Sequence, residues 1–219
     1  MWKSHAEADR QRLMKMAKNP SLPIVWLDVA VNYLYYGRVY IVLYADKAPL
    51  AAENFRQLCT GEAGLVPAGK DNAGNRYHLA DTPFYRIIDR FMCQAGAPTD
   101  SVYGGMFRDD PEGLKLSHNR TGLLSMANDG PNTNTAHFGI LMAAAEYLDG
   151  HHVIFGEIIG GIEAIYQVNK LSRLMPENTH DHTAGASILD SGQADRRHLN
   201  LERIVRSPYQ MKLNPDRIP

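Results

Sequence analysis

From Ile24 onward the chain is cut into short runs dense in β-branched and aromatic residues, each bounded by turn formers. IVWLDVAV and GRVYIVLYA come first, then FYRII, FMCQAG, GLLSMAN, HFGILMA, HVIFGEII and ASILDSG. Only two internal stretches carry helical spacing instead. One is 48–58, where Leu50, Phe55 and Leu58 line one side and Gly61 supplies the C-terminal stop; the other is 161–171. So many short strands with so few helices must bury their apolar faces on one another, as a closed β-barrel or a sandwich. Tyr33 to Gly37 is the expected break between the first two strands, and the Gly-, Pro-, Asn- and Asp-rich residues 61–83 form a long loop.

The two ends read differently. Residues 2–18 favour a helix, with Trp2, Ala6, Leu13 and Ala17 as a thin apolar stripe, and Asn19-Pro20 stops it. Such a stripe cannot stabilise an isolated helix, so it is expected to dock on its own domain or on a partner. After Gln193 charges, prolines and scattered apolar residues suggest an extended arm. The expected division is an N-terminal helical extension (1–19), a main domain (20–193) and a C-terminal arm (194–219).

Composition excludes several function classes. The net charge of the 219-residue chain is -1, so no global basic field holds nucleic acid. No apolar run is long enough to cross a bilayer, and the charged first twenty residues lack a signal-peptide core, so a cytoplasmic protein is expected with no membrane partner. Cys59 and Cys93 form neither a disulfide framework nor a zinc spacing and read as buried thiols. Asn119-Arg120-Thr121 matches a glycosylation sequon that has no meaning without secretion.

Some motifs tempt. Gly64 to Asp71 nearly matches a phosphate-binding loop, but Asp71 replaces the magnesium-binding hydroxyl and turn formers follow in place of a helix. His180-Asp181-His182 and His151-His152 lack further ligands nearby, so no metal or cofactor is expected. Neither GxSxG nor HExxH occurs, and spacing nominates no Ser–His–Asp set.

The stretch from Phe84 to Gly156 carries the most chemistry. Strand alternation places Arg86 and Ile88 on one face and Ile87 on the other. From periodicity alone Phe91, Met92, Phe138, Leu148 and Phe155 read first as barrel core. An arginine inside an apolar strand is harder to absorb, because a buried guanidinium must find partners.

ADKAPLAAENFRQLCTGE, FYRIIDRFMCQAG, LLSMANDGPNTN and EYLDGHHVIFGEI occur in that order, and with them the chain from about Pro20 to Gln193 resembles the cyclophilins. The resemblance implies a closed eight-stranded antiparallel β-barrel capped by two α-helices, with a shallow proline-binding groove on its outer face. It further implies peptidyl-prolyl cis-trans isomerisation of proline-containing peptides or proteins, without a cofactor. Arg86 matches the catalytic arginine and Gln94 the residue orienting it. Phe91, Met92, Phe138 and Leu148 match the apolar pocket, Ala127 and Asn128 the backbone that meets the substrate, and His152 the pocket edge. His137 stands where glutamine is usual, and Asp129 where a small residue is common. Gly139 replaces a floor phenylalanine, which implies weaker proline binding, and the loop 97–101 is shortened. Tyr147 replaces the tryptophan associated with cyclosporin, implying weakened drug binding. A divergent-loop disulfide partner for Cys59 would fall at Ser191. The alternative is a weakened barrel kept as a docking component of a larger assembly, joined through residues 1–18 and 194–219.

Overall fold

The computed structural model describes residues 2–174 and 185–208, so His180-Asp181-His182 and the end of the C-terminal segment lie outside the described residues, as does the Trp2 side chain. Eight strands follow in chain order: β1 (Ile24–Val31), β2 (Leu34–Leu43), β3 (Thr82–Ile88), β4 (Met92–Gly96), β5 (Leu123–Met126), β6 (His137–Leu141), β7 (Ile154–Gly160) and β8 (Ala186–Gln193). All neighbours are antiparallel, and the order β1-β2-β7-β5-β6-β4-β3-β8 closes on itself. Closure comes from the β1–β8 ladder, Val25 opposite Gln193 through Val31 opposite Ala186. Of the two architectures open to the strand pattern, the barrel is the one formed.

The helices are α1 (Trp2–Lys18), α2 (Pro49–Thr60), α3 (Pro111–Leu114), α4 (Ile162–Leu174) and α5 (Leu201–Ile204). Ala51, Phe55 and Leu58 of α2 and Ile162, Ile165 and Val168 of α4 join the barrel's inward side chains in one core. Phe55 meets Phe138 edge-on at 4.8 Å between ring centroids and lies 5.2 Å from Phe155. The left-handed Gly61 ends α2, with its N–H on the Gln57 carbonyl. Asp110 accepts the Leu50 and Ala51 N–H groups, which have no carbonyl partner within the first turn of that helix.

Two local expectations are corrected. The first hairpin does not turn at Tyr33–Gly37. Asn32 (φ 50°) and Tyr33 (φ 64°) form a two-residue turn, β2 begins at Leu34, and Gly37 falls inside the strand beside a bulge. Of the segment expected as an extended arm, residues 194–208 instead coil, through a 3₁₀ turn at Arg196–His198 and through α5, and pack on α1.

α1 lies on the outer side of the barrel. Leu13 and Ala17 are completely buried, in a second cluster with Leu22, Val42, Tyr44, Leu123, Ile154, Ile159 and Val205. Every residue of β7 is buried, which is possible only because α1 and the C-terminal segment cover its outward face. In that covered face sits Glu157, 1% exposed. Arg12 grips its carboxylate at 2.6 and 2.7 Å, Arg120 at 2.9 and 3.0 Å, and the Tyr44 hydroxyl donates to it. Burial alone would raise the Glu157 carboxyl; the two guanidiniums outweigh it and hold it below the usual range.

Candidate active site

On the inner face, Phe84 and Ile87 both belong to the core although three positions separate them. A register shift between Phe84 and Arg86 reconciles this and turns Tyr85 and Arg86 outward together. By strict alternation from Phe84, Arg86 would point into the barrel. The bulge is what delivers a guanidinium to the outer wall.

Opposite Arg86 across the β3–β4 ladder is Gln94, whose Oε1 accepts from Arg86 Nη1 at 3.1 Å. Arg86 Nε is buried and has no hydrogen-bond partner among the described residues. A cavity of about 400 Å³ opens here, and Arg86, Gln94, Ala127, Asn128 and His137 line it. Tyr85, Met106, Asp129, Thr133 and Thr135 complete it. Of these, Tyr85, Met106, Thr133 and Thr135 were not nominated from sequence. The bulge that exposes Tyr85 leaves no residue signature, and Met106 comes from a loop.

The His137 ring stands edge-on to Tyr85 at 5.3 Å, and its Nδ1 is buried without a partner among the described residues. Desolvation lowers the His137 pKa against the opposing pull of Asp100 and Asp129, so the neutral ring is favoured. Asn128 Nδ2 donates to the His151 carbonyl, and its Oδ1 accepts the Gly130 N–H. Its side chain therefore holds its own loop.

The other nominated residues separate into distinct positions. Phe91, partly buried, stacks at a tilt on the exposed Tyr147 with centroids 5.8 Å apart, and Leu148 is partly buried nearby in the outer cluster. His152 Nδ1 bonds the Met126 carbonyl at 2.9 Å, while His151 is exposed. Gly139 pairs with Gln94, and a Cβ built on it would meet Met92 Sδ at 3.4 Å. The thioether thus lies over the position that lacks a phenyl ring. Phe138 does not belong with these residues. Alternation along β6 sends His137 and Gly139 outward and Phe138 inward, where it is 1% exposed against Phe55.

Another constellation emerges that spacing did not suggest. His118 Nε2 lies 2.9 Å from Ser125 Oγ, and its Nδ1 lies 2.7 Å from Asp149 Oδ1. The contacts resemble those of a hydrolytic triad, but Ser125 and His118 are 3% and 0% exposed, so no substrate reaches the hydroxyl. Its work is structural. Asp149 also accepts the His118 backbone N–H, which ties the Asp149-Gly150 turn, and with it Leu148 and His152, to β5. Cys59 and Cys93 are free and buried, and the Ser191 hydroxyl donates to the Cys59 carbonyl at 3.0 Å.

A closed antiparallel barrel presenting a glutamine-braced arginine on its outer wall, beside a groove, defines a recognisable class of protein. The chain belongs to the cyclophilin family: the family model for cyclophilin type peptidyl-prolyl cis-trans isomerase/CLD matches residues 26–189. It is similar to "Peptidyl-prolyl cis-trans isomerase 9" of Caenorhabditis elegans, with 42% identity over 155 residues, covering 68% of this chain and 48% of that protein. The match thus spans about half the length of that curated relative.

Proposed function

We propose that this chain catalyses cis-trans rotation about X–Pro bonds in peptides and proteins. The observation that carries the reading is Arg86: a guanidinium turned outward by a bulge, braced by Gln94, with a buried Nε left without a partner beside an open groove. Rotation of a prolyl amide faces a barrier of about 18–20 kcal/mol, set by lost conjugation. No bond breaks, so the protein needs only to bind the twisted amide better than the planar one. As conjugation is lost the prolyl nitrogen gains a lone pair, and a fixed N–H donor with permanent charge stabilises that state selectively.

In this reading Gln94 holds the guanidinium, Met92 and Phe91 supply apolar surface for the ring, and Leu148 and His152 form the edge. Ala127 and Asn128 offer backbone to the residue before proline, and Tyr147 weakens cyclosporin binding. Residues 20–193 are the catalytic unit. Two free, buried thiols fit a reducing, cytoplasmic setting. The docking alternative is less favoured, because α1 and residues 194–208 are already engaged with their own barrel.

The test compares wild type, Arg86→Ala and Arg86→Lys in a prolyl-isomerisation assay on a proline-containing peptide. kcat/KM should fall by about a hundred- to a thousandfold in Arg86→Ala, the range for losing one preorganised donor. Arg86→Lys should not restore it, since the planar fork is lost. Equal rates in wild type and Arg86→Ala would overturn the assignment.

A further inference from the structure

A second cavity, about 560 Å³, lies where α1 meets the barrel. Arg12, Lys15, Met16, Asn19 and Leu22 form one wall and precede residue 26, where the family match begins. Loop and strand-end residues of the barrel, Tyr44 and Leu116 among them, form the other wall. The cavity therefore exists only because the N-terminal helix is docked, and it is no part of the prolyl groove. None of its lining residues is shared with the cavity beside Arg86.

Its lining is divided by chemistry. Met16, Leu22, Tyr44 and Leu116 give it an apolar floor. Arg12 and Arg120 reach its interior but are neutralised by the buried Glu157 and by Asp9, which accepts from Arg12 at 2.6 Å. At the mouth stand Lys15 and Lys47, both exposed and with no ion pair among the described residues; Asp46 lines the cavity beside them, and Lys47 also faces Glu112, which is itself paired with Lys115 at 2.5 Å. The volume lies within the range of pockets that bury a drug-sized ligand, enough for one or two side chains. An apolar floor below two ammonium groups that are held in no ion pair asks for an apolar side chain with a carboxylate beside it.

We propose that this cavity is a docking site for a segment of a partner protein in which an acidic residue neighbours a bulky apolar one. The apolar side chain enters between Met16 and Leu116, and the carboxylate meets Lys15 and Lys47. The site would tether a partner to the barrel while leaving the prolyl groove open.

A displayed random-peptide library panned on the full wild-type chain tests this. Enriched peptides should pair Asp or Glu with Leu, Ile, Met or Phe. A labelled enriched peptide should bind at least about tenfold more weakly to the double variant Lys15→Glu/Lys47→Glu, and more weakly at high salt. Arg86→Ala should bind it unchanged, and the double variant should keep wild-type isomerase activity, which separates this site from the prolyl groove. Met16→Lys, which places charge on the floor, should also abolish binding in a chain that still melts cooperatively. Enrichment of peptides without acidic residues, competition by a proline peptide, or equal affinity for wild type and the double variant would each overturn the proposal.

Discussion

In the proposed reading, Gly139 and Met92 set how the groove holds a proline ring. A side chain at Gly139 meets only ordinary van der Waals neighbours at its Cβ, the first being Met92 Sδ at 3.4 Å. Methionine is flexible and moves aside at little cost. Gly139→Phe is therefore expected to place a phenyl group on the groove floor and add roughly 1–2 kcal/mol of apolar contact. KM for a proline peptide should fall about five- to thirtyfold with kcat nearly unchanged, because such contact serves ground and transition states alike. Steady-state kinetics on the folded variant decides it; an unchanged KM would mean that Met92 keeps its place over the strand. Phe138, one residue earlier, gives no such leverage, since it faces the barrel interior against Phe55.

Among the elements, α1 shows how an extension becomes part of a fold. Its few apolar residues would not hold it, but Arg12 closes a carboxylate cage around Glu157 that the barrel alone leaves half built. Arg12→Ala would leave Glu157 with Arg120 and Tyr44, and should cost about 1–3 kcal/mol, the range for an incompletely satisfied buried acceptor. The melting midpoint should drop by roughly 2–10 °C at neutral pH. A drop of the same size in Arg12→Ala and in Arg12→Ala/Glu157→Gln would refute the cage. α1, α2, α4 and all eight strands were legible in runs such as APLAAENFRQL and HVIFGEII, whereas the one-turn helices α3 and α5 are too short to show a period. That β7 is buried on both faces was not read from HVIFGEII, because Glu157 interrupts the run and the burial depends on α1 docking there. The Asn32–Tyr33 turn was missed because Gly37 offered a stronger local turn signal. Arg86 was found by resemblance, and the bulge that exposes it is written in no single residue.

At the scale of the whole molecule, the strand pattern alone left barrel and sandwich open, because closure depends on β1 meeting β8, a pairing no local pattern encodes; the resemblance is what pointed to the closed barrel. Protonation should act on this closed body in two steps. Desolvation depresses the His118 pKa below 6.5, with Asp149 pulling the other way, so folding favours the neutral ring. That contribution is complete above about pH 6.5 and is lost as pH falls toward the folded value. Glu157 is depressed below 4.5, so its contribution disappears only at more acidic pH. Thermal melts across pH should therefore show an acid limb starting near 6.5 and steepening below 4.5. His118→Gln should flatten the first part alone, and an unaltered limb in that variant would remove His118 from the account. Arg12 and Glu157 are 145 positions apart, and that separation fixes an order in time. A ribosome makes α1 before any strand, yet its binding place appears only once β7 has emerged and paired. A helix made ahead of the strands it packs on is thus seated only after them, and until then its apolar stripe is open to whatever meets the nascent chain.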